Sequence, residues 1–343
     1  MALKFKEPQV IRATYRIVTP MFIGDAEQKA SGISPASIKG ALRFWWRALR
    51  WGQIRSTVQS DTAALQRLHQ EEGQLFGTSA DNGNAAQFTL RLTNPKELKI
   101  THATDWPNGG NDPSGYLGIG LWESGSHAKG NFQPHREYIR EGQKFSIELI
   151  ANPSVSIEQH QQLSSALIAW GLLGGLGSRS RRAFGSIAIE SLNSKSYTFT
   201  EIRAYQNAVS QLLEAYRLNI ASLPPFTALS NQAKFGIGNK TENSARVVHS
   251  ALGVFFRNYR GQPSSLRGSR KRVFGLPYSG GTRLEGEARR ASPLLFHVHP
   301  IGTKFVGATL FLPAVFHHDA ALAAVEYPLA RGFLNQLPEV ILL

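Results

Sequence analysis

The sequence predicts an α+β protein built from two similar units, and three observations support this prediction. First, the chain has 343 residues, a length that usually corresponds to two domains of about 150 residues each. Second, short segments that are β-branched or that alternate apolar and polar residues are interspersed with longer amphipathic segments, which is typical of mixed strands and helices. Third, residues 41–50 align without gaps with residues 251–260, and four of the ten positions are identical.

The elements of the first half follow the order strand, helix, strand, long loop, strand, helix, strand. This order leaves out a polar helix that follows the first long helix. Ser34 and Pro35 mark the start of the first long helix, as N-cap and first-turn residue. Residues 101–135 are rich in glycine and proline, and a loop of this length is usually functional or disordered. We predict strands at 10–18, 87–92, 137–150 and 184–189, and helices at 35–51, 62–72 and 156–173.

The second half repeats this order after a polar helix at residues 201–216. We predict its strands at 234–237, 294–298 and 304–312, and its helices around 251–260 and at 320–334. The order βαββαβ is that of a ferredoxin-like (RRM-like) domain. The fold prediction is therefore α+β with two tandem ferredoxin-like domains, residues 1–195 and 196–343, and with a long insertion at 101–135 in the first.

The composition points to a polyanionic partner. Lys and Arg number 38 against 24 Asp and Glu, a formal net charge of +14, and such an excess favours nucleic acid through the release of phosphate counterions. The absence of cysteine excludes disulfides, thiolate zinc sites and cysteine nucleophiles. The first ten residues lack the apolar core of a signal peptide, and the longest apolar run, 163–177, is too short to cross a bilayer. We expect a cytoplasmic protein without a membrane partner.

A glycine- and arginine-rich run at residues 171–185 is the strongest candidate for a functional site. Its glycines allow turns and close backbone approach, and its arginines add permanent charges with fork-shaped donors. The run follows a helix and precedes a strand, the reverse of the ATP and NAD motifs, and it lacks their glycine spacing. The alternative is a glycine-rich helix C-cap with incidental arginines. We predict an RNA-phosphate site made of Gly174, Gly175, Gly177, Ser178, Arg179, Arg181 and Arg182.

A basic stripe on the first long helix is the second candidate. The helix has no acidic residue, so like charges on one face repel each other unless an anion offsets them. Trp45 and Trp46 are expected mainly in the core, with at most one ring of this segment free for base stacking. A solvated basic face is the alternative interpretation. The predicted phosphate-binding residues of the stripe are Lys39, Arg43, Arg47 and Arg50.

Basic residues of the second half extend the predicted track. His249 aligns with Lys39 of the first half, and it is also the favoured general base if the chain cuts RNA without a metal. His297 and His299 share one face of a strand but lack a third ligand at metal-like spacing, so we predict neither a metal nor a cofactor. The predicted RNA contacts in this half are Arg246, His249, Arg257, Arg289 and Arg290.

Three segments together resemble a known family. Residues 19–24 (TPMFIG), 35–47 (PASIKGALRFWWR) and 174–182 (GGLGSRSRR) are similar to the RAMP superfamily of CRISPR effector proteins, and within it to subunits of the type III-B (Cmr) complexes. The resemblance covers most of the chain, since 272–278 and 289–293 also fit. One departure is Ala183, which stands where the family loop generally has another glycine.

The resemblance implies two ferredoxin-like domains and a subunit without an active site of its own. Such a subunit would hold the 3′ part of the guide (CRISPR) RNA, contact the target RNA, and assemble with other Cmr subunits in antiviral defence. Two other classes stay open. One is a metal-independent RAMP endoribonuclease that processes guide RNA, and the other is a scaffold whose basic faces dock acidic protein surfaces.

Overall fold

The structure is a computed structural model that describes residues 8–25, 27, 29–30, 32–79, 83–93, 99–102, 106, 112–121, 136–218, 222–261, 268–276, 290–316, 327–336 and 339–342. Its strands are β1 (Val10–Ile17), β2 (Phe88–Thr93), β3 (Ile100–His102), β4 (Glu137–Ile139), β5 (Lys144–Ala151), β6 (Ile187–Leu192), β7 (Lys195–Ser196), β8 (Lys234–Ile237), β9 (Leu294–Ile301), β10 (Lys304–Phe311) and β11 (Glu339–Leu342). Its helices are α1 (Pro35–Arg55), α2 (Asp61–Phe76), α3 (Pro113–Leu117), α4 (Ile157–Leu173), α5 (Ile202–Glu214), α6 (Ala245–Gly261) and α7 (Pro328–Asn335), with a 3₁₀ turn at Gly268–Phe274.

The first half forms a five-stranded sheet in the order β2-β5-β1-β6-β7, with antiparallel pairing throughout. Alternate residues of β1 are buried because a strand presents successive side chains to opposite faces. The Tyr15 hydroxyl donates to the Leu167 carbonyl at 3.1 Å, so this buried face is the one that meets α4. Helix α1 packs beside α4, and its Ile38, Leu42 and Trp45 belong to the same apolar cluster.

The second half forms a four-stranded antiparallel sheet in the order β11-β8-β10-β9. Helix α6 packs on β9 and β10, and it buries Phe256 and Leu252. Both halves therefore combine helices with antiparallel sheets, which confirms the α+β class. The finer prediction of two tandem ferredoxin-like domains, with a boundary after residue 195, stays a prediction at this point.

The glycine/arginine loop, residues 174–185, lies at the joint between the halves. The Phe296 amide donates to the Arg181 carbonyl at 3.0 Å, and His297 Nδ1 lies 3.0 Å from the Gly174 carbonyl oxygen. Residues from both halves, such as Ile189 and Leu295, share one buried apolar cluster. Strand β9 of the second half therefore holds the loop at two points, Gly174 and Arg181.

Most predicted elements are present, with shifts at their ends. Helix α1 begins as expected, since the Ser34 hydroxyl accepts the Ser37 amide at 3.1 Å. The strand predicted at 137–150 is divided into β4 and β5 by a turn at Gly142, whose φ is +87°. The strand predicted at 184–189 starts only at Ile187, because Ala183 and Gly185 have positive φ values of 63° and 59°.

Other expectations are changed or lie outside the described residues. Strand β11 was not predicted. The predicted helix 320–334 is described only from residue 327 onward, where α7 continues it, and most of the loop 101–135 also lies outside the described residues. Among the described residues, no helix has both the length and the apolar character needed to cross a membrane.

Candidate nucleic-acid interface

The glycines of the loop allow close packing against residues 20–24. A Cβ at Gly177, where φ is +90°, would lie 2.5 Å from the Phe22 carbonyl oxygen. The same carbonyl accepts the Ser178 amide at 2.7 Å, and the Gly185 amide donates to the Pro20 carbonyl at 2.8 Å. Two of the segments that carry the family resemblance, 19–24 and 174–182, are thus one structural unit.

Arg179 is the exposed arginine of the loop, and its φ of +59° turns the chain outward. Partial burial and the nearby Arg136 lower its pKa. Arg136 also donates to the Ser178 hydroxyl at 2.8 Å, so its charge stays beside the loop. Two guanidinium groups that repel each other at an open surface are a suitable place for an anion.

Arg181 connects the loop to both α1 and the second half. Its guanidinium lies over the Phe44 ring, 5.0 Å from the centroid, and donates to the Ser292 carbonyl at 2.8 Å. Burial and the charge of Arg290 lower its pKa to about 10. Arg181 is nevertheless part of the lining of two open cavities, described below.

The Arg182 guanidinium is directed toward the second half of the protein, which argues against its predicted role as a phosphate ligand. Its guanidinium lies 4.7 Å from the Phe256 ring centroid and 5.4 Å from that of Phe296, and Nη2 donates to the Phe274 carbonyl at 3.2 Å. Burial, followed by the charge of Arg260, lowers its pKa to about 9. Arg182 thus connects the loop to residues of the second half.

His249 is also a core residue, and its predicted position on the RNA track is wrong. The side chain has 0% exposure. Its Nε2 lies 2.9 Å from the Arg182 carbonyl oxygen and its Nδ1 lies 3.0 Å from the Ser114 hydroxyl. Burial lowers its pKa to about 3. A neutral, enclosed imidazole with both nitrogens occupied reaches neither a phosphate nor a ribose hydroxyl.

The basic stripe of α1 has internal counter-charges, which corrects the premise that an external anion must offset it. Helix α2 brings Glu72 to within 3.0 Å of Arg43 and 3.4 Å of Arg47, and Glu71 to within 3.1 Å of Arg50. These acids are distant in sequence, so the charge pattern of α1 alone did not reveal them.

The three arginines, Arg43, Arg47 and Arg50, differ in how much of the side chain is exposed. Arg43 also donates to the Phe76 carbonyl at 3.0 Å and to the Gly77 carbonyl at 2.5 Å, so it fixes the end of α2. The Arg50 side chain is 14% exposed, whereas that of Arg47 is 41% exposed. Lys39 is partly exposed, and its pKa is lowered by partial burial and then by Arg43. Lys39 and Arg47 are the accessible members of the stripe.

The predicted residues of the second half are divided in the same way. Arg246 binds Glu141 at 2.6 Å and lies 5.5 Å from the Trp106 ring centroid. Arg257 is partly exposed on α6. Arg289 lies outside the described residues. Arg290 is described, and its Nε is buried without a hydrogen-bond partner among the described residues.

Two neighbouring cavities open beside the loop. The glycine-loop cavity has a volume of about 240 Å³, and the basic cavity has a volume of about 410 Å³. The glycine-loop cavity is lined mainly by Ser37, Trp45, Gly174, Gly175, Gly177 and Ser180. The basic cavity is lined by Arg47 and its ion-pair partner Glu72, and by His69, Phe226, Thr227 and Arg290, among others. Phe44 and Arg181 line both.

Some members of this site were not predicted from the sequence. Phe226, Thr227 and His69 approach Arg181 only through the fold, and no local pattern around them indicates a binding role. His297 and His299 are buried and 3.1 Å apart through their ring nitrogens. Within the described part of the chain, no group of three or more potential metal ligands is present.

Similarity to known proteins is found over most of the chain. Residues 14–188, half of the chain, match the RAMP superfamily model. The chain is 26% identical over 303 residues to the CRISPR system Cmr subunit Cmr1-1 of Pyrococcus furiosus, covering 82% of this chain and 81% of that protein. It is 27% identical over 184 residues to Cmr1-2 of the same organism, covering 51% and 92%.

The fold is similar to solved structures of the same kind. The crystal structure of Cmr1 from Pyrococcus furiosus in its apo form matches with a TM-score of 0.63 at 21% identity, over 97% of this chain and 98% of that chain. A chain of the type III-B Cmr-beta bound to cognate target RNA matches with a TM-score of 0.55 at 11% identity, over 96% and 98%. With the family model matching half of its length, this chain belongs to the RAMP superfamily.

Proposed function

We propose that the chain is an RNA-binding, non-catalytic subunit of a type III-B CRISPR (Cmr) effector ribonucleoprotein. In this role it holds the 3′ part of the guide RNA, contacts target RNA and assembles with other Cmr subunits in the cytoplasm. The similarity to Cmr1-1 supports the place in such a complex. The fold match to a chain of a complex bound to cognate target RNA supports the RNA partner.

The observation on which the RNA-binding role rests is the basic cavity. Arg47, Arg181 and Arg290 line one open concave site together with the rings of Phe44 and Phe226. Guanidinium groups match phosphate oxygens, and aromatic rings stack on bases. A single-stranded RNA requires both kinds of group in one place.

The proposed RNA surface is smaller than the one predicted from sequence. It consists of the accessible cations Lys39, Arg47, Arg179, Arg181, Arg257 and Arg290, with the glycine loop and Ser178 beside them. His249 is excluded by burial, and Arg182 by its contacts with Phe256, Phe274 and Phe296. Arg43, Arg50 and Arg246 are held in ion pairs and are less exposed than Arg47, which is 41% exposed although it also pairs with Glu72. We therefore propose an RNA surface that lies mainly on α1 and the loop.

The strand orders support a tandem ferredoxin-like architecture. Four strands of the first sheet, β2-β5-β1-β6, and the four strands of the second, β11-β8-β10-β9, have the spatial order 2-3-1-4 or its reverse when they are numbered within each half. This is the order expected for two βαββαβ units. We infer two such domains, residues 1–195 and 196–343, and an insertion between β2 and β5.

An endoribonuclease remains the alternative class, but the residue favoured for it gives no support. His249 has no exposed surface and a depressed pKa, so it is not placed to remove a proton from a ribose hydroxyl. The non-catalytic role is the simpler proposal for this site.

The test is the salt dependence of RNA binding by the full chain. Lys39, Arg47 and Arg179 are changed together to Gln, which removes three accessible charges. At about 0.7 of slope for each phosphate contact on a single strand, we expect the log–log salt slope to decrease by about 2.

A matched control carries the substitutions Arg12→Gln, Arg91→Gln and Lys144→Gln. These exposed residues lie on the face of the first sheet opposite to α4, as the register of β1, β2 and β5 shows. The control should retain the wild-type slope. Equal losses in both triple variants would mean that only net charge matters and would refute the proposed surface.

A further inference from the structure

The two cavities are separated by a stacked pair of side chains. The Arg181 guanidinium covers the Phe44 ring at 5.0 Å, and both residues line each cavity. Phe44 is held edge-on against Trp45, with ring centroids 5.3 Å apart. On its other side, Arg181 is held by the Ser292 carbonyl. The pair is therefore a fixed partition and not two mobile surface side chains.

The chemistry of the cavities differs on the two sides of the partition. The glycine-loop cavity is lined by the Trp45 ring, by the backbone at Gly174–Gly177 and by the hydroxyls of Ser37 and Ser180. Apart from Arg181 it has no charged lining residue among those described. Flat apolar rings with backbone and hydroxyl hydrogen-bonding groups suit an uncharged base.

The basic cavity suits the sugar–phosphate part of RNA and a second base. Arg47 and Arg290 lie on the same side as the Phe226 ring. The guanidinium groups match phosphate oxygens, and the Phe226 ring can stack on a base.

We propose that the Phe44–Arg181 pair separates two consecutive nucleotides of a single-stranded RNA, with one base in each cavity. This inference rests on the proposed RNA-binding function. Neighbouring bases in a stacked strand are about 3.4 Å apart, which leaves no space for an aromatic ring. A strand that crosses the partition must therefore unstack at that one step, as it does when side chains are inserted between bases.

The test measures stacking at each step of a bound RNA. Six-nucleotide RNAs carry two adjacent 2-aminopurines at each successive step, and the circular-dichroism couplet of the pair reports whether the two bases are stacked. The short length limits sliding along the strand. At saturating full-length protein, we expect one step to lose more than half of its couplet and the other steps to keep theirs.

Variants at two positions distinguish the effect of the Phe44–Arg181 pair from RNA binding in general. Phe44→Ala should keep the couplet at every step when it is saturated with RNA, and Phe44→Leu, which retains the apolar packing on Trp45, should do the same if the alanine variant folds poorly. Arg179→Gln should bind more weakly but still unstack the same step at saturation.

The outcomes distinguish this inference from the proposed function. Saturable binding with unchanged couplets at all steps overturns the partition and leaves the RNA-binding role intact. The same holds if Phe44→Ala and Phe44→Leu both unstack the RNA as the wild type does. Absence of saturable binding at low salt would instead refute the proposed function itself, and the partition with it.

Discussion

Replacing Arg182 by methionine tests whether this arginine has a structural role or binds RNA. Burial and the charge of Arg260 lower the pKa of Arg182 to about 9, so the protein interior disfavours its charged form. The hydrogen bond to Phe274 and the two ring contacts compensate only part of the cost of removing the guanidinium from water. In addition, Nη1 is buried without a partner among the described residues. Methionine fills most of the space without a charge.

We therefore expect Arg182→Met to raise the free energy of unfolding by about 1–2 kcal/mol, as apolar replacements of buried charges often do. Arg182→Ala, which leaves a cavity between two phenylalanine rings, should lower it by about 2–4 kcal/mol. Urea unfolding followed by tryptophan fluorescence measures both changes, and an unchanged m-value indicates that the unfolded state is comparable.

The same variant is then titrated with single-stranded RNA. Arg182→Met should bind with wild-type affinity and salt slope, because the Arg182 guanidinium is packed on the Phe256 and Phe296 rings and donates to the Phe274 carbonyl. Arg179→Gln, three positions away and exposed, should lose about 0.7 of slope. A folded Arg182→Met variant with a reduced slope would show that the side chain leaves the joint to bind RNA, and the packing argument would be wrong.

Three further outcomes are expected. Gly177→Ala should cost 2 kcal/mol or more in urea unfolding because φ is +90° and a Cβ meets a carbonyl oxygen at 2.5 Å, whereas Gly40→Ala, in open space within α1, should stabilise by about 0.5–1 kcal/mol. The folded-state pKa values of His249 and His297 are lowered to about 3. The free energy of unfolding should therefore fall between pH 6.5 and pH 3 by roughly 1.4 kcal/mol per pH unit for each of the two histidines. The variant His249→Gln should lack the contribution of His249 to this pH dependence. Glu72→Gln should lower the free energy of unfolding by about 1–3 kcal/mol, since it leaves two arginines of α1 without their buried counter-charge; a change below 0.5 kcal/mol would contradict the pairing.

Local signals in the sequence predicted the parts of the fold that depend on neighbouring residues. Ser34 and Pro35 mark the start of α1, and its Ile38–Leu42–Trp45 stripe is buried as expected. The resemblance to the RAMP superfamily, read from the TPMFIG and GGLGSRSRR segments, is confirmed by the family match. Those two segments form one packed unit, which explains why they occur together.

Long-range contacts decided what the sequence did not predict. Three arginines in four positions appear equivalent in the sequence, yet Arg179 is exposed, Arg181 is stacked on α1 and Arg182 is buried. The positive φ values of Arg179 and Ala183 set these directions. The local charge pattern indicates neither these positive φ values nor the hydrogen bond between the loop and strand β9.

The alignment of residues 41–50 with residues 251–260 helps to explain why α1 and α6 differ in accessible charge. Position 43 of α1 is an arginine that pairs with Glu72 of α2, whereas the aligned position in α6 is Gly253. A Cβ there would overlap the Pro113 backbone, because α3 from the first half packs against this face of α6. The same contact places Ser114 beside His249, which aligns with the partly exposed Lys39. Helix α3 of the first half thus covers the face of α6 that corresponds to the basic face of α1, which is why the proposed RNA surface lies on α1 and the loop and not on α6.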